Sequence, residues 1–211
     1  MDSERRVGSN RSTDSNPRAN FDAADELSWE TIGSSIDYRC PGFDVRRDDV
    51  ELPDGTTTAF HYVDEPPGVV VLPFTPDGEV VVIDEWRQAV GRVNRSLPAG
   101  TADASDADLA TTARRELREE TGYRAAEVDS EPFLSAEPAN GLLSAERHFF
   151  RAWDCTPDGS QSLDSNESIH VGTVPYETLL SAAVDNDLRD ERAITALLHH
   201  ELTEGVNGNT R

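Results

Sequence analysis

The stretch from Leu97 to Tyr123, LPAGTADASDADLATTARRELREETGY, decides the fold of this chain. Its second half predicts a helix on which Glu116, Glu119 and Glu120 stand at i, i+3 and i+4, so that their side chains project together from an exposed face. Like charges at this spacing destabilise a helix by about 0.2–0.5 kcal/mol per pair. Because hard divalent cations prefer oxygen ligands, the three carboxylates predict a Mg²⁺ site, with Mn²⁺ as the other possible ion.

The opposite stripe of the same helix is apolar. Leu109, Ala113 and Leu117 recur at intervals of four and are expected to face a core. The chain has 41 Asp and Glu among 211 residues, so a solvated acidic helix face is the competing interpretation of the glutamates. The three glutamates alone do not decide between the two interpretations.

The residues around the glutamates favour the metal site. Gly100, Arg115, Leu117, Gly122 and Tyr123, together with the three glutamates, resemble the Nudix hydrolase signature G-x5-E-x7-R-E-U-x-E-E-x-G-U, in which U is aliphatic or aromatic. Eight positions match. The resemblance implies an α/β/α sandwich that hydrolyses a pyrophosphate bond with the help of divalent metal ions.

The chain departs from the signature in two ways. Fourteen residues separate Gly100 from Arg115, where the signature has thirteen. Ala107 stands in the place of the first Glu, between Asp106 and Asp108. By resemblance, that missing Glu supports the loop and the helix, and the later carboxylates hold the metal, so the chemistry should be retained.

The resemblance also implies roles for individual residues. The long polar loop from Thr156 to Ser168 should supply an acidic residue as general base. Similar enzymes carry an acidic-x-acidic pattern there, but Ser165 occupies the first of those positions, which leaves Glu167 or Asp164 for the role. The implied catalytic residues are Arg115, Glu119, Glu120 and Glu167. The implied metal ligands are Glu116, Glu119, Glu120, Glu167 and the carbonyl of Ala99.

Over roughly residues 35–202, the chain is similar to the ADP-ribose pyrophosphatase branch of this family. Glu85, Trp86 and Arg87 stand where the branch has a Gln-Tyr-Arg-like segment, and a guanidinium at Arg87 suits a pyrophosphate. Pro138 lies sixteen residues after the box glycine, as in the branch, and Glu146 matches a residue near the substrate ribose. The alternatives are a surface charge at Arg87, chance at Pro138 and a strand-edge charge at Glu146.

Composition bounds the environment and the partners. The formal net charge is −22, which argues against nucleic acid or an anionic membrane as a partner. All nineteen basic residues are Arg, and this acidic composition without Lys resembles that of proteins from salt-accumulating halophiles. The sequence has neither a signal peptide nor a long apolar run, so we predict a cytoplasmic protein.

The chain order predicts an α+β fold: a Nudix-type α/β/α sandwich with an N-terminal antiparallel β extension. Residues 1–25 are expected to be a disordered polar, acidic tail, residues 26–66 a β subdomain, and residues 67–211 the Nudix domain. The polar strands of the β subdomain should pair two subunits into a homodimer. We also predict a buried hairpin from the runs 68–73 and 79–83, a helix capped by Thr173, and a last helix over about 189–202.

The predicted function is Mg²⁺-dependent hydrolysis of ADP-ribose, or of a related nucleoside diphosphate sugar, to AMP and a sugar phosphate. The partner is therefore a small nucleoside diphosphate derivative. One alternative is a Nudix hydrolase of another nucleotide, such as a dinucleotide or an oxidised nucleotide. The other is a noncatalytic Nudix-like sensor that binds a nucleotide without cleaving it.

Overall fold

The structure, a computed structural model, describes residues 24–208, so the predicted tail lies outside the described residues except for its last two positions. The helices are α1 (Ala24–Leu27), α2 (Leu109–Thr121), α3 (Tyr176–Val184) and α4 (Glu191–Gly208). The strands are β1 (Glu30–Cys40), β2 (Phe43–Glu51), β3 (Thr57–Asp64), β4 (Gly68–Pro73), β5 (Glu79–Arg87), β6 (Arg92–Ser96), β7 (Ala99–Thr101), β8 (Tyr123–Arg124), β9 (Glu127–Val128), β10 (Leu134–Ala136), β11 (Arg147–Trp153), β12 (Thr156–Pro157) and β13 (Ile169–Pro175). Within the described part of the chain, no helix is both long and apolar enough to cross a membrane.

The two β-branched runs that predict a hairpin, β4 and β5, lie in different sheets. β4 pairs in parallel with β11 and antiparallel with β7, whereas β5 is antiparallel to both β13 and β6. Next to their shared turn, the ends of the two runs are joined by the bridge between Phe74 and Val80. The hairpin prediction is wrong because each run is a central strand whose two edges are taken by other partners.

Alternate residues of β4 pack against helices on opposite faces of the sheet. Val69 and Val71 lie in the apolar cluster that contains Ala113 and Leu117 of α2. Val70 and Leu72 lie in the other cluster, with Ala196 and Leu197 of α4 and residues of α3. Since successive side chains of a strand point to opposite faces, these clusters place the sheets between α2 and the pair α3 and α4. The mixed α+β sandwich is confirmed, as is the predicted apolar stripe of α2.

Helix α2 has a side-chain cap at its start and a glycine at its end. The Asp108 carboxylate accepts a hydrogen bond from the Thr111 amide at 2.7 Å. At the other end, Gly122 has φ 72° and donates its amide to the Arg118 carbonyl. A Cβ at Gly122 would also come within 2.5 Å of the Gly159 carbonyl oxygen, so both the conformation and the close approach require glycine.

The segment from Ile169 to Val184 begins with the strand β13, where the sequence predicts a helix capped by Thr173. Thr173 pairs with Val81 within β13 and does not cap a helix. Strand β13 continues to Pro175, which occupies the N-cap of α3 with φ −52°. The prediction of a Thr173 cap is wrong because strand pairing with β5 continues beyond it. The predicted last helix is present as α4, although it runs further toward the C-terminus.

Strands β1, β2 and β3 form a separate antiparallel sheet. The backbone of Val63 at the end of β3 joins this sheet to the loop before β11, through hydrogen bonds with Leu142 and Ser144 of 2.8 and 2.9 Å. Large apolar side chains of this segment remain exposed in the isolated chain, namely Trp29, Ile32, Ile36, Tyr38, Phe43 and Phe60.

Candidate active site

Two of the three box glutamates share one cationic nitrogen. Arg115 Nη1 donates to Glu116 Oε1 at 2.8 Å and to Glu119 Oε2 at 2.9 Å. Burial raises the pKa of Glu116 even though the Arg115 charge opposes that shift. The two carboxylates therefore approach a common cation, which is supplied here by a side chain.

Glu120 is buried, and the prediction of an exposed face is wrong for this residue. Only 4% of it is exposed, and its Oε2 accepts a hydrogen bond from the Ala99 amide at 2.8 Å. Burial raises its pKa to about 8, against that hydrogen bond and with a further contribution from the Glu116 charge. The N–H and C=O of one strand residue point the same way, so the Ala99 carbonyl also faces the side of β7 on which Glu120 lies.

Gly100 makes room for the cluster. A side chain at this position would overlap the Glu116 carboxylate, because the ideal Cβ position falls on that group. The glycine at the head of the box therefore lets a carboxylate of α2 lie directly against the backbone of β7.

Asp106 fills the place of the missing first Glu of the signature. Its carboxylate accepts hydrogen bonds from Arg115 Nη2 and Thr112 Oγ1, both at 2.9 Å, and from the Asp103 amide at 3.0 Å. The Arg115 hydrogen bond lowers the pKa of Asp106 to about 2. Asp106 thus ties the loop to the helix, which is the support that the resemblance assigns to the missing residue.

The box residues line the larger of two adjoining cavities, which we name the acidic cavity and the arginine cavity. The acidic cavity has a volume of about 650 Å³, and the arginine cavity about 160 Å³. The acidic cavity is lined by Arg115, Glu116, Glu119, Asp103, Ser162 and Asp164, among others. The arginine cavity is lined by Glu65, Glu85, Arg87, Arg147 and Arg192, among others. Both are lined by Ala99, Gly100, Thr101, Glu120 and Glu167, so the two form one cleft.

The loop between β12 and β13 is tied to the end of α2. Gln161 Nε2 donates to the Glu120 carbonyl at 2.6 Å, and the Ser162 amide donates to the Glu119 carbonyl at 2.8 Å. Within the loop, the Asp164 amide donates to Glu167 Oε2 at 2.9 Å. These bonds hold Glu167 at the junction of the two cavities.

Each arginine of the arginine cavity has a carboxylate partner. Arg87 Nη2 lies 2.7 Å from Glu85 Oε2, and Arg192 Nη2 lies 2.9 Å from Asp190 Oδ2. Arg147 is held more loosely, 3.7 Å from Glu65. Burial raises the pKa of Glu85, while the charges of Arg87 and Arg192 oppose that shift.

Comparison with known proteins agrees with this geometry. The model of the NUDIX domain matches residues 64–197, which is more than half of the chain. The chain belongs to the Nudix family. Enzymes of this family generally use divalent metal ions.

Relatives of this Nudix chain include two ADP-ribose pyrophosphatases. The protein of Bacillus subtilis (strain 168) is 28% identical over 181 residues, which cover 85% of this chain and 96% of the relative. The protein of Mycobacterium tuberculosis (strain ATCC 25618 / H37Rv) is 31% identical over 125 residues, which cover 56% of this chain and 60% of the relative. The crystal structure of an ADP compounds hydrolase superposes with a TM-score of 0.72 at 20% identity, covering 87% of this chain and 97% of the other, which shows the shared fold.

The donors of the Nudix box fit a divalent ion in kind, although they are not placed around one point. Among the described residues, no three His, Cys, Asp or Glu side chains are already arranged to hold a metal ion. The box oxygens are nevertheless hard ligands that line one cavity, and Arg115 Nη1 already occupies a cationic position between two of them. Arg115 Nη1 engages one oxygen of Glu116 and one of Glu119, so the second oxygen of each carboxylate could ligate an ion. A divalent ion would also offset the unfavourable burial of charge at Glu120.

Two predicted substrate residues are not brought into the cleft of the single Nudix chain. Pro138 and Glu146 are absent from the lining of both cavities. The Glu146 side chain is 53% exposed, with its carboxylate 3.8 Å from His148 Nε2. Arg87, by contrast, lines the arginine cavity as predicted for a phosphate contact.

Sequence reasoning missed several residues of the cleft. The sequence does mark Glu85, because this residue stands in place of the Gln in the branch segment that ends at Arg87. Gln161 lies in the loop identified by its polarity, but nothing marked it as the residue that holds the loop. Arg147 and Arg192 carried no local pattern, since strand pairing and the docking of α4 alone bring them to the cavity.

Proposed function

We propose that this chain is a Mg²⁺-dependent pyrophosphohydrolase of ADP-ribose that yields AMP and ribose 5-phosphate. The observation that carries the proposal is the continuity of the cleft, in which Glu120 and Glu167 line both the acidic and the arginine cavity. A diphosphate with a group on each side needs metal ligands and phosphate donors within reach of the same bond. The relatives named ADP-ribose pyrophosphatase support this choice of substrate.

The proposed metal ligands are Glu116, Glu119, Glu120, Glu167 and the Ala99 carbonyl. A divalent ion held there would neutralise charge on the diphosphate and make a water molecule more acidic. Arg115, fixed by Asp106, would keep the box carboxylates in register.

In the hydrolysis itself, a water oxygen bonds to one phosphorus, the bridging P–O bond breaks, and the bridging oxygen leaves with the other phosphate. We assign Glu167 as the base that accepts the water proton, because the loop holds it where the two cavities meet. Arg87 would donate to a phosphate oxygen. Glu146 directly precedes Arg147, which lines the arginine cavity, and it remains our candidate for a ribose contact, together with Pro138.

The substrate assignment is tested by comparing kcat/KM for ADP-ribose with those for ATP, dGTP and 8-oxo-dGTP, with saturating Mg²⁺ in high salt. We expect ADP-ribose to be preferred by at least roughly tenfold, about 1.4 kcal/mol of transition-state discrimination. A site that pairs with substrate hydroxyls discriminates against ligands that leave its polar groups unpaired. Equal or faster turnover of a triphosphate would contradict the substrate while leaving Nudix chemistry in place.

We further propose that the 26–66 subdomain pairs two chains into a homodimer. Its sheet exposes Ile36, Tyr38 and Phe60, and Trp29 packs edge-on against Phe60 at 5.9 Å between ring centroids. Exposed aromatic and aliphatic side chains in one segment are typical of an interface. Light scattering should give twice the chain mass for the wild type and a monomer for Ile36→Asp. A monomeric wild type at micromolar concentration would rule the dimer out.

The cytoplasmic location, the independence from nucleic acid and membranes, and the adaptation to high salt stay predictions from composition.

A further inference from the structure

Arg192 at the start of α4 is held more firmly than Arg87 and Arg147, the other arginines of the arginine cavity. Its Nε and Nη2 donate to the two oxygens of Asp190 at 3.1 and 2.9 Å. Nη2 also donates to Ser96 Oγ at 3.1 Å. Both partners are buried, with exposed fractions of 8% for Asp190 and 1% for Ser96. A guanidinium fixed on one edge by a fork of hydrogen bonds loses little freedom when it binds a further group.

The other edge of this guanidinium is not engaged. Of its five N–H groups, the three on Nε and Nη2 have acceptors, whereas the two on Nη1 have none among the described residues. Arg192 also lines the arginine cavity. The cavity therefore contains a preoriented cation with two unused donors, which is the geometry that recognises a phosphate or carboxylate.

Arg87, which lines the same cavity, offers a second cation. Its Nη2 lies 2.7 Å from Glu85 Oε2, yet this buried oxygen accepts no hydrogen bond of acceptable geometry. We therefore treat this contact as an ion pair without a well-formed hydrogen bond. Donors of Arg87 are then still available to a ligand. Two arginines with spare donors in a cavity of about 160 Å³ suit an anion of the size of a phosphate group.

We propose that Arg192 is a second phosphate-binding residue, whose Nη1 donates to one phosphate of the diphosphate while Arg87 binds in the same cavity. This inference rests on the proposed function for the identity of the substrate. Asp190 and Ser96 act as positioning residues, because they touch the guanidinium and not the phosphate.

The test uses Arg192→Gln and Arg192→Lys, with Arg189→Gln as the matched control. Arg189 lies three residues before Arg192 and is exposed, so its replacement removes the same charge from the same segment. We expect kcat/KM for ADP-ribose to fall about 10- to 100-fold in Arg192→Gln, mainly through KM, and less in Arg192→Lys, which keeps the charge but loses the fork. Arg189→Gln should match the wild type.

Competitive inhibition by the two products separates binding from structure. AMP and ribose 5-phosphate each carry one of the two phosphates, so loss of a single phosphate contact should weaken inhibition by one product and not by the other. Equal weakening of both, or unchanged KM and inhibition constants, would overturn the proposal.

Arg192→Gln leaves Asp190 without its partner and can destabilise the fold. The double variant Asp190→Asn with Arg192→Gln removes both charges, and its melting temperature shows whether the chain is folded. This folded double variant should show the same selective loss as Arg192→Gln, and a restored KM would overturn the proposal.

Calorimetry with inorganic pyrophosphate and Mg²⁺ distinguishes failure of this inference from failure of the proposed function. If the wild type does not cleave ADP-ribose, only the proposed function is contradicted. Pyrophosphate carries no sugar, so its binding tests Arg192 independently of that substrate. Pyrophosphate binding weakened about 10- to 100-fold in Arg192→Gln supports the role of Arg192 in either case. An equal dissociation constant, or no pyrophosphate binding by the wild type, contradicts it.

Discussion

The two sides of the cleft are charged in different ways. On the acidic side, a single helix, α2, supplies Glu116, Glu119 and Glu120, and two of these carboxylates have their pKa raised by burial. On the arginine side, β5, β11 and α4 each supply one arginine, and each arginine has its own carboxylate partner. Arg115 pairs with Glu116 and Glu119 but not with Glu120, so the acidic side still has a place for a cation from outside, whereas the arginine side is arranged before any substrate arrives.

The largest effect should come from the acidic side. Glu120→Gln is expected to lower kcat by about 10³-fold or more, because it removes a carboxylate that lines both cavities. Stability of the metal-free protein should hold or rise, since Gln, unlike Glu120, needs no bound proton to stay neutral when buried. Steady-state kinetics and thermal melts measure the two effects. Glu127→Gln, an exposed change in β9, is the control, and near-wild-type turnover of Glu120→Gln at saturating Mg²⁺ would remove the metal-site hypothesis.

The junction of the two sides is tested by Glu167→Gln. Loss of a general base should lower kcat by about 10²–10³-fold with little change in KM. Asp164→Asn is the matched comparison, because Asp164 lies in the same loop and lines only the acidic cavity. If Asp164→Asn shows the loss and Glu167→Gln does not, the role of base moves to Asp164.

The buried Glu120 of the acidic side should make the free energy of unfolding depend on pH. Glu120 has an ordinary pKa of 4.5 and a folded value of about 8. The folded state binds the proton more tightly, so the stability from this group is complete below the ordinary value and is lost as the pH rises toward 8. The free energy of unfolding without metal should fall between pH 5 and 8 by a few kcal/mol more in the wild type than in Glu120→Gln, with roughly 5 kcal/mol as the upper bound. If the free energy of unfolding, measured by denaturant, changed equally with pH in the two proteins, Glu120 would already be charged in the folded state over this range.

The smallest effect concerns the surface outside the cleft. With a net charge of −22, lower ionic strength should destabilise the fold, since the screening length grows from about 3 Å at 1 M to about 10 Å at 0.1 M salt. We expect the melting temperature to drop by several degrees between molar and tenth-molar KCl. Glu120→Gln should show nearly the same drop, because the effect arises from the whole surface. A melting temperature independent of KCl would contradict the halophile interpretation.

The difference between the acidic side and the arginine side of the cleft also explains how much of the molecule could be predicted from sequence. The acidic side depends on spacing within one helix, so the three carboxylates and the apolar stripe predict which face of α2 carries them, and the surrounding signature residues favour a metal site there. Spacing within a helix shows which face the glutamates share, but not which residues cover that face. The burial of Glu120 under the Ala99 amide was therefore not predicted.

The arginine side depends on contacts between distant segments. β4 and β5 resemble a hairpin locally, but β4 pairs with β11 and β5 pairs with β13, so partners far along the chain replace the hairpin pairing. Arg192 lies in the cleft because the start of α4 docks on Ser96 of β6, and no local pattern marks such a contact. The absence of Glu146 from the lining of both cavities is another outcome of tertiary packing.

The long-range pairing of β4 and β5 also sets the order in which the chain can assemble. Gly68 of β4 pairs with Arg147, and Glu79 of β5 pairs with Pro175, so each central strand waits for a partner far along the chain. Closing such distant contacts is slow, whereas a helix forms locally and quickly. During synthesis, α2 leaves the ribosome before either sheet can be completed, with its carboxylates still in water. A chain interrupted before Ile169 would carry the whole box and yet lack Arg192 and the strand β13 that pairs with β5.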